Sequence, residues 1–549
     1  MSRTVTLRPW QKDALERLAA SASPDFLAVA TPGAGKTTFA LTAARQGLSE
    51  DADRRLVVVV PTAHLKLQWA KAAAAFDLHL DPMWSASDGA LPSDMHGVVT
   101  TYQQVASCAP VLRPLADNAF VIFDELHHAA DDRAWGDAVR TAFEGAARRL
   151  ALSGTPFRSD THSIPFVRYS LDEAEADFEY GYGDALSDGG VVRPVYFPRI
   201  DGMMEWSAPD GSVHAHGFDD ELDSAKASQR LRTAYSLEGE WMPHVLRQAH
   251  TQLLAIRERQ PDAGGLVIAT DQEHAKGIVR LFRDRFKVKA VVATSDDPDA
   301  STHISRFAAS ADPWIVAVRM VSEGVDIPRL RVGVFATTTT TELFFRQAVG
   351  RLVRWSRGVR GQKSFLYIPD EPRLRARAFA IAEQRRHSLR HEDRVLVARD
   401  GELDDAGGDD DLFSMFAPIS ATPLGDGSEP DWLLDDDAFF EPPADDAALT
   451  IPLPPLPLGG RGRGAGAGPV SAPDGRTLRE HKEHLREANA NKSRLIARHT
   501  GQTHGAVNAE LNRVSGVTKV SEATVEQLER RLAKADAWLK QASARRVAG

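Results

Sequence analysis

Ala30-Thr-Pro-Gly-Ala-Gly-Lys-Thr-Thr38 follows an apolar run, residues 26–30, and precedes a helical pattern. That is the context a phosphate-binding loop needs. Small residues let backbone N–H groups turn inward toward phosphate oxygens. Thr31, Pro32, Gly33, Ala34 and Gly35 form the loop, and Thr38 closes it. Lys36 can reach the β and γ phosphates, and the Thr37 hydroxyl can ligate magnesium. The general pattern asks for glycine where this chain has Ala30. A chance Gly-rich turn is the plain alternative.

Working outward, short apolar runs alternate with helical patterns from residue 1 to about 195. Residues 26–30, 56–60, 97–101, 119–123 and 149–152 read as strands, with helix-like stretches such as 63–76 between them. They are too uniformly apolar to have a wet face, as expected of a parallel sheet covered on both sides. Residues 196–240 are rich in Gly, Asp and Ser and read as an irregular connector. The alternation resumes over 241–398, with strands expected at 265–269, 289–293, 314–318, 332–336 and 364–368. The fold class is therefore α/β, with two tandem domains of similar build.

Two more constellations carry chemistry. Phe123-Asp-Glu-Leu-His-His128 follows an apolar strand. In nucleotide hydrolases a strand end presents one carboxylate to magnesium and a second to the attacking water. Asp124 suits the metal and Glu125 the water. Such a pair also fits a solvated turn. A metal site at His127 and His128 would need further ligands, and no other ligand cluster accompanies them. Arg346-Gln-Ala-Val-Gly-Arg-Leu-Val-Arg354 places Arg351 and Arg354 three apart, so a helix would put them on one face. They can serve a γ phosphate from a second domain, or simply form a basic face in water.

The order of these signals resembles that of the superfamily 2 DExH-box helicases, and the likeness reaches further. Leu7-Arg-Pro-Trp-Gln11 resembles the upstream adenine-reading motif, with Gln11 the implied base contact and Arg8 beside it. Ala30-x-x-Gly-x-Gly-Lys-Thr37 is similar to the superfamily's own form of the Walker A loop, which accounts for Ala30. Asp124-Glu-Leu-His127 resembles a DExH box. Pro61-Thr62 and Thr100-Thr101-Tyr102 resemble strand-contacting motifs. Ser153-Gly-Thr-Pro156 resembles the motif coupling hydrolysis to movement, through Ser153, Gly154 and Thr155. Gly265-Leu-Val-Ile-Ala-Thr270 resembles the opening motif of the second domain. Ser322-Glu-Gly-Val-Asp-Ile-Pro328 resembles motif V, and Gln347-x-x-Gly-Arg-x-x-Arg354 motif VI.

The match covers residues 1–398. Within the superfamily it is nearest to type III restriction-subunit-like and phage-type DNA helicase motors; DELH and SGTP differ from the DEAD and SAT boxes of RNA helicases. The resemblance implies two RecA-like domains with ATP and Mg²⁺ in the cleft between them. Thr37 and Asp124 would hold the metal. Glu125 would polarise the water, with Lys36, Gln347, Arg351 and Arg354 completing the catalytic set. Gly324 and Asp326 would lie near the ribose. Thr62, Thr101 and Thr270 would touch nucleic acid. The implied function is a DNA helicase or translocase in repair, recombination or defence against foreign DNA. An RNA helicase, or a nucleotide-switch subunit without motor activity, are the competing readings.

The rest of the chain sets boundaries. Net charge is -10, which at first argues against a nucleic-acid partner. Residues 401–450, however, hold 15 Asp or Glu and no Lys or Arg, whereas 459–549 hold 17 Lys or Arg against 9 Asp or Glu. The remainder is close to neutral, so the whole-chain sign describes no one surface. Residues 399–475 read as an acidic, Pro/Gly-rich disordered linker. Residues 476–549 read as a small basic helical module. Its last segment has apolar residues at Val525, Leu528, Leu532, Ala535 and Leu539, and Ser521 stands as its N-cap. The module suits an accessory nucleic-acid contact or an ordinary charged surface, and it and the linker could also take protein partners. The single cysteine, Cys108, excludes an internal disulfide. No signal peptide or membrane-length apolar run is visible, so a cytoplasmic protein without membrane contact is expected.

Overall fold

The computed structural model describes residues 4–86, 91–92, 94–126, 133–154, 164–170, 173–208, 211–294, 300–318, 327–356, 358–389, 417–424, 449–456 and 478–547. His127, His128, Thr155, Gly324 and Asp326 lie outside the described residues, as does most of the acidic stretch.

The apolar runs form two parallel sheets. Across the first, the strands run Phe178–Tyr180, Asp25–Ala30, Arg148–Ser153, Phe120–Asp124, Leu56–Val60, Gly97–Thr101 and Leu80–Asp81. Every neighbouring pair is parallel. Leu56–Val60 shows why: Leu-Val-Val-Val-Val is buried at every position, which only a sheet covered on both faces permits. Across the second sheet the order is Val195–Tyr196, Ser364–Pro369, Leu330–Ala336, Gly264–Ala269, Trp314–Val318 and Ala290–Ala293, and Arg199–Ile200 also pairs with Ser364–Pro369. The chain thus has two tandem RecA-like α/β domains. One apolar cluster continues from the first domain into the second through Tyr180, Tyr182, Val191, Val349 and Val353. The domains are seated on each other at the edge where the phosphate loop lies.

Several expectations need correction. Val195–Tyr196 already belongs to the second sheet, so the first sheet ends with Phe178–Tyr180. Residues 196–240 are not an irregular connector. Gly202–Ser207 and Val213–Gly217 form an antiparallel hairpin, followed by the helix Ser224–Ala234. One hairpin face buries Met204 and Trp206 against Leu231, Tyr235 and Trp241 of the second domain's core. Its other face is wet, and that alternation among Gly- and Asp-rich turns hid the strands. Within 399–475, Ala417–Pro423 adds a third strand to this hairpin. Leu449–Pro452 pairs antiparallel with Thr4–Leu7 of the first domain. The Pro454 carbonyl there accepts from Arg45 Nε at 3.0 Å.

Three helices end the chain: Leu478–Thr500, His504–Ser515 and Val525–Val547. Ser521 is not the N-cap of the last. It lies in a short 3₁₀ turn, Val520–Glu522, and the cap is Thr524. Thr524 Oγ1 accepts from Gln527 N at 3.2 Å, and Gln527 Oε1 accepts from Thr524 N at 2.9 Å. This reciprocal box satisfies two end groups at once. Among the described residues no helix is long and apolar enough to cross a membrane.

Candidate active site

The phosphate loop is bent by two glycines. Gly33 has φ +88° and Gly35 φ +96°, conformations that favour glycine. Gly35 is also the N-cap residue of the helix Lys36–Glu50. Helix N–H groups of the first turn, at Lys36, Thr37 and Thr38, therefore begin at the loop mouth, where anions are stabilised. A Cβ on Gly35 would stand 2.7 Å from Gln11 Nε2, so a side chain would displace the support of the loop.

That support comes from Leu7-Arg-Pro-Trp-Gln11. Arg8 donates to the carbonyls of Gly33 (3.1 Å) and Ala34 (2.7 Å). Trp10 Nε1 donates to Ala34 O at 3.1 Å, and its ring stacks on Tyr180 with centroids 5.0 Å apart. Gln11, buried, donates to Gly35 O at 2.9 Å and accepts from Arg8 N at 2.8 Å. In this structure, then, the motif holds the loop. Thr31 N donates to Tyr180 O at 2.9 Å and Thr31 O accepts from Ala34 N at 3.1 Å, which close the loop's other side.

Strand ends bring the acids to the same mouth. Glu125 follows Phe120–Asp124 with φ +48°, a strained setting for a non-glycine residue. Its two oxygens are held apart. Oε1 lies 3.2 Å from Lys36 Nζ, and Oε2 accepts from Gly154 N at 3.1 Å. One carboxylate thus ties the phosphate loop to the Ser153-Gly154 turn. Lys36 Nζ also donates to Ala30 O at 3.2 Å. A Cβ on Gly154 would stand 3.0 Å from Lys36 Nζ, so a side chain there would press on the lysine head group. Asp124 Oδ2 accepts from Trp69 Nε1 at 2.8 Å, and the Asp124 carbonyl accepts from Tyr102 Oη at 3.0 Å. Trp69 carries no signal in the sequence, because a single aromatic at helical spacing looks like core, and Tyr102, placed there among strand-contacting residues, here supports Asp124.

The arginine motif arrives from the second domain. The helix Glu342–Leu352 carries Gln347 and Arg351, with Arg351 buried. It does not reach Arg354. Val353 is the C-cap, and Arg354 pairs in an isolated antiparallel bridge with Val192, so one helix face does not carry both arginines. Behind this turn stands Arg193, fully buried at 0% exposure. Its backbone N–H donates to Val353 O at 2.7 Å. Its guanidinium donates to Leu330 O (3.2 Å), Pro328 O (2.6 Å), Ser356 Oγ (3.1 Å) and the Arg354 carbonyl. Burial holds the Arg193 guanidinium well below its ordinary pKa. A Cβ on Gly33 would stand 3.6 Å from Arg354 Cγ, so Arg354 adjoins the loop all the same. Thr31, Pro32, Gly154, Tyr182, Arg346 and Gly350 line a cleft between the domains at this point.

Thr62 and Thr101 stand at strand C-terminal ends of the sheet that carries the loop, and Thr270 follows a strand of the second sheet. Thr62 makes no side-chain cap bond to its helix. Thr101 is buried and its hydroxyl accepts from Gln104 N at 3.1 Å as an N-cap. Thr270 Oγ1 donates to Ala336 O at 3.2 Å.

The donor set fits a magnesium nucleotide. A glycine cradle, a lysine, a helix start and a carboxylate at a strand end meet at one half-exposed mouth. Among the described residues no cluster of three or more His, Cys, Asp or Glu could form a separate metal site.

Residues 4–158 match the family model described as "Type III restriction enzyme, res subunit". Over 390 residues the chain is 46% identical to "Uncharacterized protein Rv2917" of Mycobacterium tuberculosis, covering 70% of this chain and 64% of the relative. It is 24% identical over 389 residues to "Putative DNA 3'-5' helicase Rad25" of Halobacterium salinarum, covering 70% and 56%. The chain therefore spans less than two thirds of these relatives' length. A solved structure, "ATP-dependent Type ISP restriction-modification enzyme LlaBIII bound to DNA", aligns with TM-score 0.46 and 16% identity over 70% of this chain and 30% of the other.

Proposed function

From a chain that resembles the superfamily 2 DExH-box helicases, with a first domain matching a res-subunit model, we propose a nucleic-acid-dependent ATPase that moves on or unwinds DNA. One observation carries this reading: Glu125 bridges Lys36 and Gly154 at the mouth where the second domain's Gly350 and Arg354 adjoin the loop. A nucleotide-binding scaffold would need no such glutamate. The family description and the name of the Halobacterium relative favour DNA over RNA; the setting proposed with it is repair, recombination or defence against foreign DNA in the cytoplasm.

ATP with Mg²⁺ would supply the phosphoryl group to be hydrolysed. Lys36, Thr37 and the first-turn N–H groups would hold phosphate oxygens, and Thr37 and Asp124 would hold the metal. Glu125 orients water and accepts its proton. Arg351 and Arg354 answer to the cleft from the second domain, so hydrolysis is tied to how the domains sit on each other. Grip on the strand rests mainly on phosphates and is salt-dependent.

The test is the ATPase rate with single-stranded DNA, duplex DNA, forked DNA and RNA side by side. Stimulation is expected with DNA. Lys36→Ala and Glu125→Gln should each abolish turnover. Near wild-type hydrolysis in either variant would sink the site assignment. Stimulation by RNA alone would favour an RNA helicase, and none by any nucleic acid a switch subunit.

A further inference from the structure

The C-terminal helices form a rigid unit. Ile496, Val507, Leu511 and Ala535 bury their inner faces completely. Arg531, 1% exposed, donates to Asn489 Oδ1 (3.0 Å), Asn508 Oδ1 (2.7 Å) and Asn512 Oδ1 (2.9 Å). One guanidinium from Val525–Val547 thus locks the other two helices. Leu478–Thr500 and His504–Ser515 are joined by only Gly501, Gln502 and Thr503. Gly501 has φ +71°, which reverses the chain, and Thr503 Oγ1 accepts from Ala506 N at 3.3 Å, which restarts it. Two helices on a three-residue glycine turn, braced by a third, have the connectivity of a helix-turn-helix.

The outer surface has a matching character. His504, Gly505, Ala506, Ala509 and Arg513 are all exposed. Three of these five are small enough to let the helix backbone come close to a partner. Residues 488–509 contain Lys492, Arg494 and Arg498 and no acidic residue. Lys492 pairs with Asp536 at 2.6 Å. Arg494 and Arg498 are exposed, one turn apart, and among the described residues neither meets a carboxylate.

The module is bolted to the motor. Lys482, 1% exposed, lies 2.6 Å from Asp94 Oδ1, and Asp94 Oδ2 accepts from Val525 N at 2.9 Å. Met95 packs with Leu485, Val517 and Leu528 around this pair. Asp94 and Met95 precede the strand Gly97–Thr101, so the module sits at the opposite end of that strand from the ATP cleft.

We propose that His504–Ser515 is a reading helix that enters the major groove of duplex DNA, with Arg494 and Arg498 on the flanking phosphates. The proposal rests on the reading of the chain as a DNA motor and names the form of DNA it holds. A helix about 10–12 Å wide fits a B-form major groove about 12 Å wide. The A-form major groove of duplex RNA is too narrow, and a single strand has no groove.

The probe is a duplex of roughly 20 base pairs, two helical turns, read by fluorescence anisotropy with the full chain and no nucleotide. The same sequence is presented as duplex RNA and as single-stranded DNA. Arg494→Ala with Arg498→Ala should lower the slope of log affinity against log salt by about 2. Ala509→Glu should weaken duplex DNA binding at least about tenfold, with little change on the single strand. If both variants bind duplex DNA as the wild type does, or lose duplex RNA equally, the proposal is overturned. A wild type stimulated by single-stranded DNA would then leave the motor reading standing. Conversely, duplex binding lost in the variants, without ATPase stimulation by any nucleic acid in the wild type, would keep this site and end the motor reading. The two arginines are solvent-exposed, so that variant keeps the test valid if Ala509→Glu fails to fold.

Discussion

Gly350 of the second domain rests directly on Pro32 of the phosphate loop: a Cβ built on Gly350 would stand 2.5 Å from Pro32 Cγ. Carbon atoms in good contact sit about 3.5–4.0 Å apart. Gly350→Ala must therefore push the helix Glu342–Leu352 back by about 1 Å. A shift of that size at a reacting centre costs on the order of 100-fold in rate. Alanine is the better helix former by about 1 kcal/mol, so the domain itself should not weaken. The expected outcome is an ATPase kcat down by about two orders of magnitude with Tm held. Wild-type turnover would show that the contact does not set the arginine motif.

Trp69 predicts a different phenotype. Its indole N–H is a fixed donor to Asp124 Oδ2. Trp69→Phe keeps the apolar bulk and removes the donor. Residues that hydrogen-bond a metal-ligating group typically govern about 10–100-fold in metal affinity. The Mg²⁺ concentration for half-maximal ATPase should rise by about tenfold, and saturating Mg²⁺ should restore most activity. An unchanged titration would separate Asp124 from the metal.

Arg193 should behave as a positioning residue. Arg193→Met removes the side-chain donor from the buried carbonyl of Leu330 and from the partly buried carbonyls of Pro328, which keeps Ser356 Oγ as a donor, and Arg354. Each orphaned buried acceptor costs about 1–3 kcal/mol. Thermal unfolding should show a loss of about 1–3 kcal/mol. At temperatures where the variant is fully folded, ATP turnover should still be reduced, because Arg354 is released from its bridge. Stability lost with full turnover would mean that the guanidinium is only core.

Two histidines of the second domain predict acid sensitivity. Burial holds His250 and His274 below their ordinary pKa of 6.5. His250 Nδ1 faces Trp314 Nε1 at 3.2 Å, and His274 Nδ1 accepts from Thr270 N at 3.2 Å. Both bonds need an unprotonated ring nitrogen. Below the ordinary pKa the unfolded chain binds more protons than the native one, so stability there rises with pH. Melting temperature should be flat above about pH 7 and fall as pH drops through about 6.5 and below. In His274→Asn the Oδ1 can accept the Thr270 bond without titrating, and the slope should be shallower. Equal slopes would remove His274 from the account.

The ten principal strands were legible because uniform apolar runs such as Leu56–Val60 have one packing solution. The hairpin Gly202–Ser207 with Val213–Gly217 was not, since a half-wet strand among Gly and Asp looks like loop. The site was legible wherever chemistry demands particular residue types: glycines in the loop, Lys36, Asp124-Glu125. Its supports were not. Trp69 and Arg193 are ordinary residues until the fold brings their partners to them.

The loop Ala30–Thr38 shows where the line falls. The chain alone determines that a glycine-rich turn stands between a buried strand and a helix, because φ +88° and φ +96° are conformations that glycine adopts readily. Only the tertiary structure decides what the turn faces. Gln11, Glu125, Gly154, Gly350 and Arg354 reach it from 19 to more than 300 residues away, and contacts at such separation leave no local period in a sequence. The same holds for Arg351 and Arg354. Their spacing suits one helix face, but the helix ends at Leu352 and Arg354 pairs with Val192 instead.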